Sequence, residues 1–224
     1  MNYDWNFGRL MPYTEAFAKG TLVTLSLTAL VIVIGTVLGI LLGLTLRKKL
    51  PRVVTYPVVD VLRALPPLVL ILFMYYLLTR QVIGVAVPAF WVCVVAMSLN
   101  LSAFTSDLVR AAIENVPRDA LDAGRALGMT ESQITRHIVL PRVVREIIPG
   151  MTMLYIAMLK MSSLASVINV REVVNTAQTI IADVSRSLEA WTIVGLIYIA
   201  LVVPATYVAR AIERWAGRGE LGER

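Results

Sequence analysis

Lys160 sits in a run of uncharged residues, 13 before it and 10 after it. A lysine in that setting either snorkels to an interface on its long stem or lines a polar route. Ser162 and Ser163 follow it, and Asn100 lies in another apolar run, so these four residues are candidates for a path taken by a polar solute. Hydrogen bonding between helices accounts for Asn100 equally well. Asp107, Arg110 and Glu114 recur at spacings of three and four, which puts them on one helical face as an ion network. His137 is the only histidine and Cys93 the only cysteine. A metal cluster, a histidine-based triad and a disulfide are therefore excluded within one chain. No Gly-x4-Gly-Lys-Ser/Thr phosphate loop occurs, so no ATP site of that kind is expected, and no catalytic residue is assigned.

The elements that position these residues belong to a membrane protein. Of 224 residues, 58% are hydrophobic and 16% charged, and the mean hydropathy is +0.74. That leaves too little polar surface to cover a water-facing globule. The net charge of +6 does not point to nucleic acid, because Lys and Arg gather in short segments beside apolar runs and form no basic groove with interleaved aromatics.

Thr21–Leu46 runs for 26 residues without a formal charge, more than the ~20 a spanning helix needs. It lacks the basic leader and cleavage site of a signal peptide, so a retained first span is expected. The second runs from Val53 through Ala64–Thr79, past Asp60 and Arg63; the third is Gln81–Ser106, the fourth Ile147–Val170 and the fifth Ala190–Ala209. The expected fold is an all-α integral membrane protein of about five transmembrane helices. Residues 1–20 form an extracytoplasmic or interfacial segment, 21–215 the membrane domain and 216–224 a cytoplasmic tail. Gly35, Gly39 and Gly43 share one face of the first span and suit close helix packing. Pro66 and Pro67, and Pro88 in its turn, should bend helices or lie near their ends.

Arg47, Lys48, Lys49 and Arg52 follow the first span; six arginines from Arg110 to Arg145 lie between the third and fourth; Arg210, Arg214 and Arg218 follow the fifth. All three groups fall on one side if the N-terminus is outside and the C-terminus cytoplasmic, which satisfies the positive-inside rule. The polar segment "DALDAGRALGMTESQITRHIVLP", Asp119–Pro141, is then cytoplasmic. Pro117, Asp119 and Asp122 suit a helix start, Gly128 a helix stop, and Thr130 with Gln133 a capping box opening a second helix. Ala120, Ala123 and Leu127 share a face, and Gly124 leaves the backbone bare beside it. Such small residues are expected to admit another protein closely.

Asp122-Ala123-Gly124, three residues, Gly128, nine residues, then Ile138-Val139-Leu140-Pro141 resembles the "EAA" signature of ABC importer permeases, Glu-Ala-Ala-x3-Gly-x9-Ile-x-Leu-Pro. Asp122 replaces the usual Glu and Gly124 the second Ala. Blocks at Gly20–Gly39, Val61–Leu78, Leu108–Met129 and Met158–Val173 are similar, in order, to the polar amino-acid branch of that family. Two departures stand out: Arg63-Ala64-Leu65-Pro66 where Arg-Gly-Thr-Pro is usual, and Lys160-Met161-Ser162-Ser163-Leu164 where Lys-Asp-Thr-Ser-Leu is usual.

The resemblance implies a permease subunit of the bacterial inner membrane that forms half of a translocation pore and binds no cofactor itself. Its implied partners are a second permease subunit, identical or homologous, ABC ATPase subunits carrying ATP and Mg, and an extracytoplasmic amino-acid-binding protein. It also implies that a coupling helix between spans three and four, over Ala120, Leu121, Asp122, Ala123, Gly124, Arg125, Ala126, Leu127, Gly128 and Met129, docks the ATPase. The cargo class is polar amino acids, with a lean toward glutamate or aspartate; another small polar solute is the alternative. A membrane enzyme would need convergent acid, base or nucleophile candidates in the spans, and a scaffold would not need an exposed coupling segment.

Overall fold

A computed structural model describes residues 3–45, 49–78, 82, 84 and 86–217, and all regular structure among them is helical. The expected span limits at Leu46, Thr79 and Gln81 lie outside the described residues, as do Arg47, Lys48 and the tail from Arg218.

Four helices are long and apolar enough to cross a membrane, and a bent pair adds a fifth candidate. A 3-10 turn over Phe7–Tyr13 leads into α1, Thr14–Thr45. The span reaches back to Phe7, beyond the expected Thr21. One reason is local: Lys19 and Glu15 pair at 2.6 Å one turn apart, so neither charge interrupts the helix.

The second span is not one helix. α2, Lys49–Ala64, and α3, Pro67–Leu77, are separated at Leu65 and Pro66, and the chain bends by 109° between Tyr56–Ala64 and Pro67–Leu77. Proline at 66 and 67 removes two backbone donors from the turn, which is where the break was expected. α4, Ala89–Glu114, starts just after Pro88 and runs further toward the polar segment than the expected Ser106.

α5, Arg118–Ala126, and α6, Glu131–Ile134, form the polar segment, and a π-helical turn over Thr135–Val139 joins α6 to α7, Leu140–Met161. The fourth span therefore starts well before Ile147 and finishes in a 3-10 stretch, Ser162–Ile168. α8, Val173–Val184, was not expected from the pattern. α9, Ser187–Gly217, is the last span and extends beyond Ala190–Ala209 at both ends.

α4 is the hub: 72% of its apolar stretch is buried, against 11% for α9. Between helices in lipid there is little hydrophobic drive, so close packing decides the arrangement. Gly35, Gly39 and Gly43 meet Leu101, Thr105 and Val109 of α4, and a Cβ on Gly39 would lie 2.4 Å from that of Thr105. Around this seam Leu27, Val31, Leu70, Ile71, Met97 and Met158 form the main core. A second cluster joins Leu10 and Phe17 to α8 and the start of α9, and a third lies under the polar segment.

Candidate functional site

The polar segment folds by local rules. Pro117 stands just outside α5, and Asp119 lies in its first turn, toward the positive end of the helix dipole. Gly128 takes φ of +74°, the left-handed conformation glycine adopts without a Cβ clash. Met129 N–H then donates to Gly124 O at 3.1 Å and Gly128 N–H to Arg125 O at 2.9 Å, the paired bonds of a Schellman stop. Thr130 and Gln133 close the capping box: Thr130 N–H donates to Gln133 Oε1 at 2.8 Å, and Gln133 N–H to Thr130 Oγ1 at 3.3 Å. Arg125 spans the turn, donating to Glu131 at 2.9 Å and Asp122 at 2.8 Å. Glu131 first and Asp122 second hold its guanidinium above the ordinary range.

Packing divides the coupling candidates into two faces. Ile134, Val139 and Val143 bury against Ala112 and Val116 at the end of α4, with Leu121 and Met129 partly enclosed. Gly124 belongs to this inner face. A Cβ there would lie 2.9 Å from Ile138 Cδ1 and 3.2 Å from Ile134 Cγ1, so its bare backbone serves contact within the chain. Ala120 is half-buried, while Asp122, Ala123, Arg125, Ala126 and Gly128 are exposed and Leu127 is 82% exposed. The outward face is thus a small apolar knob of Ala123, Ala126 and Leu127 with Asp119 and Asp122 beside it. Asn115 Nδ2 donates to Glu146 Oε1 at 2.7 Å and ties the end of α4 to α7.

The four pathway candidates do not converge. Lys160 and Ser163 line a groove of ≈ 440 Å³ shared with Val174, Tyr198 and Val202, and no ion pair engages Lys160 among the described residues. Ser162 is buried and donates to Leu159 O at 2.7 Å, whereas Ser163 donates to Lys160 O at 2.9 Å. Asn100 lies elsewhere, 2% exposed, with its amide on Leu62 O at the break between α2 and α3. The ion network is wider than the spacing implied: Arg63 of α2 pairs with Asp107, which also meets Arg110 at 3.5 Å, and Arg110 stacks over Tyr56.

Two buried carboxylates escaped the sequence reading. Glu172 caps α8, accepting from Val174 N at 2.9 Å and Asn175 N at 2.8 Å, while Thr24 Oγ1 accepts from Val173 N at 3.3 Å. Glu189, in the first turn of α9, accepts from Tyr3 OH and from Asn6 N–H at 2.9 Å. The signal for Glu172 was a carboxylate opening an apolar helical run; for Glu189 it was Arg186 three residues before it.

A helical membrane unit with a short polar helix pair between two spans is the architecture of a transport permease. The family described as "Binding-protein-dependent transport system inner membrane component" matches residues 35–218, and the chain belongs to it. The arginine transport system permease protein ArtQ of Bacillus subtilis (strain 168) is 32% identical over 218 residues, covering 96% of this chain and 97% of that one. The glutamine transport system permease protein GlnP of Escherichia coli (strain K12) is 28% identical over 216 residues, covering 96% and 98%. A solved amino acid ABC transporter, crystallised with histidines, matches at a TM-score of 0.86 and 29% identity over 95% of this chain and 99% of that one. The inward-facing MetNI methionine transporter, at 21% identity and a TM-score of 0.76, supports the fold alone. The chain is therefore an ABC importer permease subunit of the inner membrane, a transport component and not an enzyme, and its family works with a separate ATPase and a binding protein.

Proposed function

We propose that the chain imports polar amino acids, with its N-terminus outside and C-terminus in the cytoplasm, and that α5 is the coupling helix received by the ATPase. The observation that carries the coupling role is the free outward face of α5, Ala123, Ala126 and Leu127, on a helix backed by a packed cluster. A force on that knob has two firm routes into the membrane. One is the cluster that packs Ile134 with Ala112 of α4 and Val116 just after it; the other is the unbroken helical path from α6 through the π turn into α7. ATP and Mg belong on the ATPase. Closure of two ATPases would move the coupling helices of two permease subunits, identical or homologous, and alternate the access of the pathway between them. Lys160 and Ser163 border that pathway in this reading, since an intramembrane cation beside a groove suits an amino-acid carboxylate.

The relatives transporting glutamine and arginine support the cargo class. Reconstitution of the permease with its ATPase and binding protein, followed by uptake of labelled glutamine, arginine, glutamate and a small sugar, tests it. ATP-dependent accumulation of at least one amino acid is expected. Accumulation of the sugar alone would replace amino acids with another polar solute. A reporter fused at the C-terminus should react only with cytoplasmic reagents, and labelling from outside would reverse the orientation.

A further inference from the structure

The N-terminal segment is built onto the start of the last span by specific polar contacts. Glu189 is fully buried, and its carboxylate accepts from Tyr3 OH on one oxygen and from Asn6 N–H on the other. Arg186 completes the latch, donating to Asp4 O at 2.6 Å and to Glu189 Oε1 at 3.4 Å. Leu10, 1% exposed, then plugs the cluster of Phe17, Val173, Ile180, Ala190 and Val194. Residues 3–11 are therefore held in place, and the charges of the latch cancel inside it.

What this segment presents outward is mainly aromatic and apolar, with the charged Asp4 and Arg9 exposed among the rings. Tyr3 meets Trp5 edge-on at 5.3 Å, and Trp5 stacks on Phe7 at 5.6 Å with the rings 8° from parallel. Trp5 is 53% exposed and Met11 73%. An exposed ladder of this kind is a poor surface for water and is normally covered. Leu188 and Trp191 are exposed on the first turns of α9, on either side of the Glu189 that holds Tyr3. The level of the ladder is the end of two spans, Phe7–Leu44 and Ser187–Ala216. Trp and Tyr are enriched there because an apolar ring with a polar edge matches the boundary between acyl chains and headgroups.

We propose that residues 3–11 form a strap, latched by Glu189, whose aromatic ladder docks on the bilayer surface and anchors this end of the permease at headgroup level. The strap does not depend on the cargo or on which side of the membrane the N-terminus occupies.

The test uses the full chain in phosphatidylcholine–phosphatidylglycerol vesicles, with Trp91, Trp191 and Trp215 replaced by Phe so that Trp5 alone emits. Trp5 emission should be blue-shifted, shielded from aqueous acrylamide, and quenched more by lipids brominated high on the acyl chain than by lipids brominated near its methyl end. Adding Glu189→Ala should release the strap: the emission shifts to the red and the bromolipid quenching is lost. If the triple replacement fails to fold, the difference between the unaltered chain and Trp5→Phe yields the same quenching profile. A Trp5 open to acrylamide and unquenched by either lipid overturns the proposal, including when added binding protein then shields it, because the occupant would be that protein.

Discussion

The side-chain amide of Asn100 donates a 3.1 Å hydrogen bond to the backbone carbonyl of Leu62. In an unbroken helix that carbonyl would accept from the N–H of residue 66, and residue 66 is proline. The hub helix thus repairs the acceptor that the break in the second span leaves open. Arg63, next in the chain, pairs with Asp107 and lies over the Phe104 ring, so the α2 side of the elbow is held to α4 at consecutive positions.

Asn100→Leu should destabilise the folded permease by about 1 kcal/mol, the net worth of one lost hydrogen bond. Pro66→Ala restores an N–H near Leu62, so the double variant should lose less than the sum of the two single losses. Unfolding in detergent, followed by circular dichroism for all four members of the cycle, reads this coupling. Strict additivity would remove Asn100 from its repairing role.

On α5 the two faces should respond differently. Gly124→Trp should damage the helix pair itself, because its first side-chain carbon already meets Ile138 and Ile134 at 2.9 and 3.2 Å. Overpacking of that kind costs about 1–3 kcal/mol or more, whereas Gly124→Ala adds one carbon that meets the tip of Ile138 and Cγ1 of Ile134, side chains and no backbone, and should cost less. Leu127→Asp, on the exposed knob, should leave membrane insertion and melting unchanged but reduce ATPase co-purification and substrate-stimulated hydrolysis. Normal ATPase retention with Leu127→Asp would locate the docking surface elsewhere.

At the α1–α4 seam, Gly39→Leu should be among the most damaging single changes. A Cβ there meets Thr105 Cβ at 2.4 Å and the backbone oxygen of Ser102 at 2.8 Å, and backbone cannot rotate away. Loss of the monodisperse peak on size-exclusion chromatography is the expected readout. A normal peak would show that the two helices can separate without penalty.

Lys160→Met keeps an unbranched side chain, one atom shorter, and removes its charge. If Lys160 borders the pathway, complex assembly should persist while uptake kinetics change across amino acids, most for those whose carboxylate it meets. Uptake indistinguishable from the unaltered permease for glutamine, arginine and glutamate would make Lys160 a snorkelling residue with no part in transport.

The apolar runs, the clustered basic residues, the four-residue glycine spacing and the Gly128 stop with its Thr130–Gln133 box were legible in the sequence, because each rests on near neighbours in the chain. Bilayer thickness demands a long uncharged run, and a helix terminus is satisfied by groups within four residues of it. Helix faces and long-range partners were not legible. Only the fold turned Gly124 inward, because Ile134 of α6 and Ile138 of the π turn cover that side of α5. Only the fold set Asn100 opposite Leu62, 38 residues away, and Tyr3 against Glu189, 186 residues away. Such pairs depend on which helices pack together and at what depth, and periodicity within a single helix carries no record of either.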